Sequence, residues 1–385
     1  MKKINGFTNC NILTEEGLKK TSLEIKDGKI AKIGEFVGGV ELNEEYFVLP
    51  GFIDQHVHGA AGSDAMDGTK EDLLKIANAL ASEGTVAFLA TTMTQSVENI
   101  NKALNAVKEY KEANIEEGAE ILGVHLEGPF ISLKHIGAQP LEYVAKPDVE
   151  VFKKYQEVSG NNIKLVSLAV EEEGATELVE YLAKTGVVAS LGHTDATASA
   201  VEAAIKAGAK NVTHTYNAMK PLHHREIGTV GSALLYDELN CELICDGIHV
   251  SKPAINLLRK CKPQDKLTLV SDAMRAKHMP DGEWELGGQA VFVKNGEARL
   301  AGGTLAGSVL KMNNAVKNIM AFTGASLEEA VKYASLNPAL NLGVDDVLGS
   351  IKEGKNASFV VVDKEFNVVS TIRDGVIVFE KEQKC

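Results

Sequence analysis

Eight short apolar runs recur through the middle of this 385-residue chain, each ending in polar or glycine-rich residues. They fall at 51–58, 85–94, 120–127, 163–170, 187–194, 211–217, 241–249 and 266–272. Between most of them lie stretches rich in Ala, Leu, Glu and Lys, at 70–82, 97–112, 175–184 and 196–207, with apolar residues at helical spacing. Continuous apolar strands need both faces covered, and alternation with helices provides that cover around a parallel sheet. Eight such units close a (β/α)8 barrel. An open, doubly wound α/β sheet is the alternative topology. Residues 220–232, after the sixth run, read as loop, and 282–300 read as an inserted hairpin turning at Asn295-Gly296.

The two ends differ from the middle. Residues 4–13, 22–33 and 46–49 are strand-like, with a turn at Lys26-Asp27-Gly28-Lys29. Residues 357–363, 368–372 and 376–380 behave the same way, with Arg373-Asp374-Gly375 as a hairpin turn. Termini often lie close together, so 1–50 and 345–385 are expected to pair into one small β-sandwich beside a barrel of 51–344.

Composition narrows the function. Lys plus Arg number 40 against 53 Asp plus Glu, a formal charge of −13, which argues against a nucleic-acid or anionic-membrane binder. Cys10, Cys241, Cys245, Cys261 and Cys385 are few and odd in number. The closest pair, in CELIC, reads as apolar strand, so a reduced setting is expected. The amino terminus lacks the apolar stretch of a signal peptide, and no run approaches membrane-spanning length. A soluble, cytoplasmic protein is the expectation.

Polar residues then fall where a barrel would converge them. His56 and His58 alternate at the end of the first run, which places them on one face. Glu127 ends the third, His193 the fifth, His214 the sixth and Asp272 the eighth. The carboxyl ends of barrel strands share one mouth, where active sites are built. Imidazoles and carboxylates are the ligands of zinc and similar divalent ions, and an ion with an open position activates water. Buried charges cost several kcal/mol, roughly, unless paired or metal-bound, so five polar strand ends are hard to assign to packing. Asp272 is placed to move a proton. His125, two residues before Glu127, is expected to support the ligands from behind. After His214, the segment from Tyr216 to Arg225 concentrates Lys220, His223, His224 and Arg225 beside the same mouth, as an anionic substrate group would require. His249 ends the seventh run, and the glycine-rich 302–308 could offer backbone N–H groups.

These residues carry a resemblance. PGFIDQHVHG (50–59), HLEGPF (125–130), LGHT (191–194), VTHTYNAM (212–219), DGIH (246–249), SDAM (271–274) and TLAGS (304–308) resemble, in order and over nearly the whole chain, the N-acetylglucosamine-6-phosphate deacetylase family of the amidohydrolase superfamily. The resemblance implies Glu127, His193 and His214 as shared metal ligands and His56 and His58 as the pair some members use for a second ion. One or two divalent ions per subunit follow, zinc or iron first. It implies Asp272 as the catalytic aspartate and Asn217, Ala218, Arg225 and His249 as substrate contacts. Arg225 would reach the neighbouring subunit's site, and hence a homodimer. Ala138, Gln139, Leu305 and Ala306 fall where the family meets sugar or acetyl; some members carry His at the position of Gln139. The implied reaction converts N-acetyl-D-glucosamine 6-phosphate to D-glucosamine 6-phosphate and acetate, in amino-sugar catabolism or cell-wall recycling. No lysine ends a strand, which weighs against amidohydrolases that bridge two ions with a carboxylated lysine. The rivals are an amidohydrolase for cyclic amides or N-acyl amino acids, and a non-catalytic barrel kept as a scaffold.

Overall fold

A computed structural model describes residues 2–382; Cys385 lies outside them. The middle of the chain is a ring of eight parallel strands: Phe52–Val57, Thr85–Thr91, Glu120–Glu127, Ile163–Leu168, Val188–Leu191, Asn211–Val212, Asn240–Ile244 and Leu267–Val270. Each pairs with its neighbour in sequence. The first and eighth strands meet through the Asp272 N–H donating to His56 O (2.8 Å) and the His58 N–H donating to Ala273 O (2.9 Å). The Ser271 hydroxyl donates to Asp54 at 2.5 Å across the same seam. The parallel-barrel expectation holds.

Local chemistry explains where the covering helices begin. Thr69, Ser96, Asp148 and Thr197 each accept a backbone N–H of the first turn and start helices Lys70–Ala81, Val97–Glu112, Val149–Val158 and Ala198–Ala207. Their apolar faces, for example Leu73, Ile76 and Leu80, are buried against strand residues such as Phe88 and Leu126. One expectation fails in 220–232: the structure has a helix at Gly228–Leu235. Gly, Thr and Ser are weak helix formers, and burial of nearly every residue of this segment overrides propensity. The sixth strand is also shorter than the apolar run 211–217, because the chain leaves the sheet after Val212.

The terminal segments build a second, eight-stranded sheet around Phe7, Ile12, Leu23, Val48, Phe359 and Ile372. In it, strands Phe359–Val362 and Phe47–Pro50 pair directly, stitching the chain's two ends together. Asp374 and Gly375, both at positive φ, make the two-residue turn of the last hairpin. The inserted segment is a three-stranded sheet, Gly282–Leu286, Gln289–Lys294 and Glu297–Leu300, that turns at Asn295-Gly296. Its Leu286 and Val291 pack on Met93, Met274 and Ala306, roofing one side of the barrel mouth. Among the described residues, no helix is long and apolar enough to cross a membrane.

Candidate active site

Three strand ends bend sharply. His193, His214 and Asp272 follow their strands with φ of 49°, 30° and 47°. Such left-handed backbone costs a non-glycine residue about 1–3 kcal/mol and persists where surrounding contacts over-determine it. The bends turn all three side chains into a cleft at the barrel mouth.

Two groups of donors meet there. Glu127 Oε1 lies 3.3 Å from His193 Nε2 and 3.1 Å from His214 Nε2. The two Nε2 atoms are themselves 3.1 Å apart. His193 Nδ1 lies 2.9 Å from the carbonyl of His135 and can only donate to it, which leaves its Nε2 a bare lone pair. Beside this group, His58 Nε2 lies 3.3 Å from Glu127 Oε2 and 3.2 Å from Asp272 Oδ1. His56 Nε2 stands 3.4 Å from both Glu127 Oε1 and Asp272 Oδ1, buried and with no hydrogen-bond partner. Lone pairs aimed at one another repel unless a cation lies between them. Both the all-N/O donor set and the orphaned nitrogen fit a divalent ion.

The electrostatics agree. Burial favours the neutral imidazole of His58, yet Asp272 and Glu127 outweigh it and push its pKa up to about 10. Burial likewise favours protonated Asp272, but the charges of His56 and His58 bring it down to about 2. Glu127 is held well below the carboxylate range against its burial, chiefly by His56. His125 goes the other way, to about 3, through burial and the neighbouring His56. Its Nδ1 donates to Gln55 O at 3.2 Å, so its Nε2 accepts from Ser167 Oγ at 2.7 Å. It is a neutral imidazole, hydrogen-bonded at both nitrogens and edge-on to the His56 ring.

The cleft also collects Ala138, Gln139, Asn217, Ala218, His249 and Leu305. Gln139 donates to Glu127 Oε2 at 2.9 Å and accepts the Thr94 N–H at 2.7 Å, so its amide is already engaged with a metal-ligand candidate. His249 Nδ1 pairs with Asp246 Oδ2 at 2.6 Å; burial opposes its charge, and Asp246 raises its pKa regardless. Two residues stand apart. Ala306 packs into the hairpin core and its N–H donates to Ala298 O, so neither faces the cleft. Arg225 is exposed, donates from Nη1 to His224 Nε2 at 2.7 Å, and does not line this chain's cleft.

Sequence reasoning missed Asp246 and, above all, Glu242. The latter is fully buried inside the barrel and touches both His56 and the backbone of His214. The run CELIC signals it: a carboxylate in an otherwise apolar strand demands partners.

An amidohydrolase family model matches residues 47–378, and the chain belongs to that family. Within it, the chain is 44% identical over 377 residues to the N-acetylglucosamine-6-phosphate deacetylase of Bacillus subtilis (strain 168), covering 96% of this chain and 95% of the relative. It is 40% identical over 358 residues to the N-acetylgalactosamine-6-phosphate deacetylase of Escherichia coli O157:H7, covering 93% and 94%. The crystal structure of N-acetylglucosamine-6-phosphate deacetylase from Thermotoga maritima superimposes with a TM-score of 0.89 at 38% identity, covering 97% of this chain and 99% of that one.

Proposed function

We propose that this chain hydrolyses the N-acetyl group of N-acetyl-D-glucosamine 6-phosphate, releasing acetate and D-glucosamine 6-phosphate. The observation that carries the reading is the convergence of Glu127, His193, His214, His56, His58 and Asp272 in one cleft of an amidohydrolase. Glu127, His193 and His214 would hold one divalent ion, and His56 and His58 a second beside it; zinc and iron suit the donors best. A bound ion supplies Lewis acidity toward the acetyl carbonyl and lowers the pKa of water.

The chain's own residues do the rest. Asp272 is ionised and faces the donor groups, so its carboxylate can take the proton of the attacking water. The same oxygen then gives that proton to the departing amine as the tetrahedral intermediate collapses. His249, positioned by its contact with Asp246, and the polar Asn217 orient the sugar, with Ala138, Ala218 and Leu305 shaping the wall. Gln139 acts by fixing the Glu127 carboxylate. Arg225, exposed and outside its own cleft, is assigned to the phosphate of a substrate bound in a partner subunit, which requires a homodimer. Residues 1–50 and 345–385 form the small domain and 51–344 the catalytic one, and the reaction belongs in the cytoplasm, in amino-sugar catabolism or cell-wall recycling.

Similarity to the galactosamine relative favours one second reading, the 4-epimer of the same sugar phosphate as preferred substrate. Acetate release from both sugar phosphates and from unphosphorylated N-acetylglucosamine, at fixed metal, tests the proposal. Highest kcat/KM on N-acetylglucosamine 6-phosphate supports it. Preference for the epimer replaces it, and no acetate from any of the three refutes it.

A further inference from the structure

The barrel interior below the donor groups is polar where such barrels are usually aliphatic. Gln55, Ser167, Ser190, Asn211, Glu242 and Thr268 are all completely buried. Among these six, Glu242, on the seventh strand, carries the carboxylate, and the chemistry assigned above does not use it.

Its four contacts are fully specified. Oε1 accepts from Gln55 Nε2 at 2.7 Å and from Asn211 Nδ2 at 3.1 Å. Oε2 accepts from the His214 N–H at 3.2 Å and faces His56 Nδ1 at 3.0 Å. An ionised carboxylate only accepts, so His56 must carry a proton on Nδ1, which makes Nε2 the nitrogen available to ligate a cation. That Nε2 is the buried atom without a hydrogen-bond partner, pointed between Glu127 and Asp272. His58, by contrast, has no hydrogen bond at Nδ1. His193 is anchored by a neutral carbonyl. Among the four candidate ligand imidazoles, His56, His58, His193 and His214, only His56 has a carboxylate in direct contact behind it.

His56, His125 and Glu242 are also close enough to suggest an ion of their own. Hydrogen bonding excludes that use: both His125 nitrogens are engaged, and four donors saturate the Glu242 oxygens.

We propose that Glu242 is the positioning residue for the second ion: by fixing the tautomer and orientation of His56, it makes the His56–His58 side of the cleft a metal site. The inference rests on the metal reading above and adds to it the residue that decides whether one ion or two are held. A carboxylate behind a ligating imidazole raises its basicity, and removing such a partner weakens metal affinity roughly 10- to 100-fold. Glu242→Gln is a sharp probe. In one orientation its NH2 faces the Gln55 and Asn211 donors. In the other it faces the His214 N–H and forces the His56 proton onto Nε2, which then cannot ligate.

The test is a zinc titration of metal-stripped full-length protein, with ions counted by mass spectrometry and affinities measured against a chromophoric chelator. The unaltered protein is expected to take two ions. Glu242→Gln is expected to hold the first as tightly and the second roughly 10- to 100-fold more weakly. Glu242→Asp, which keeps the charge, is expected to recover part of the loss and serves if the Gln variant does not fold. Equal weakening of both ions would assign Glu242 a merely structural role and overturn the proposal, as would unchanged binding of both. A parent protein that takes a single ion overturns it while leaving one-metal hydrolysis standing; one that takes none overturns both.

Discussion

Replacing Asp272 with Asn should stop the reaction without emptying the site. Asp272 Oδ1 lies 3.2 Å from His58 Nε2 and 3.4 Å from His56 Nε2, and the side chain is only 11% exposed, so bulk water cannot easily stand in for it. Asn keeps the size and one oxygen but has no basic site. A positioned acid–base group contributes about 10²–10⁴-fold, equivalent to roughly 3–5 kcal/mol of barrier. Here one carboxylate is assigned both proton transfers, so the upper end is expected. The loss should fall on kcat, with KM little changed, because the group acts on the transferring proton and not on the bound sugar. Glu127, His193 and His214 form a donor group that excludes Asp272, so at least one ion should remain. Acetate release at saturating N-acetylglucosamine 6-phosphate, with metal analysis of the same sample, reads both quantities. A variant that keeps its metal and turns over within about tenfold of the parent would refute the proton-shuttle assignment.

Other outcomes follow from the same geometry. Arg225→Ala should raise KM for the phosphorylated sugar far more than for the unphosphorylated one, and mixing Arg225→Ala with Asp272→Asn protein should restore activity through hybrid dimers; equal KM effects or no restoration would count against phosphate recognition across subunits. Lys277→Met leaves buried Glu83, whose Oε1 lies 2.5 Å from Lys277 Nζ with both side chains essentially unexposed, with His278 at 3.3 Å as its remaining partner, and should destabilise the fold by about 3 kcal/mol in chemical denaturation. Adding Glu83→Gln should recover much of that loss, and an unchanged midpoint in the single variant would show that the pair contributes nothing. In metal-free protein the His58 pKa is raised from 6.5 to about 10, so the stability it adds is complete below pH 6.5 and disappears as pH rises through about 10. Melting temperatures of the metal-free protein across that window should fall with pH, and His58→Gln should flatten the fall.

How much was legible depends on whether a residue's role is local. The helices Val97–Glu112 and Ala175–Lys184 match the apolar spacing in the sequence, because periodicity and helix formers agree there. Gly228–Leu235 escaped because its Gly, Thr and Ser residues favour other states, and burial of Gly228 through Ala233 overrides that preference. The donor residues could be read from strand ends, since barrel topology alone brings them together. Their bends could not: the apolar pattern of 211–217 continues past Val212, while His214, Tyr216 and Ala218 take positive φ and leave the sheet. Glu242 was hidden inside CELIC because a single charge in an apolar run shows neither its depth nor its partners; Gln55 and Asn211 are far away in sequence. Ala306 lies in a motif that reaches the cleft through its neighbour Leu305, a difference set by which way each residue faces.

Metal-dependent acetate release tests the whole account most directly. Protein stripped of metal should release no acetate from N-acetylglucosamine 6-phosphate, and activity should return in step with zinc or iron(II) bound at the cluster of Glu127, His193 and His214. Full activity in the stripped protein, or stoichiometric binding that restores none, would contradict it.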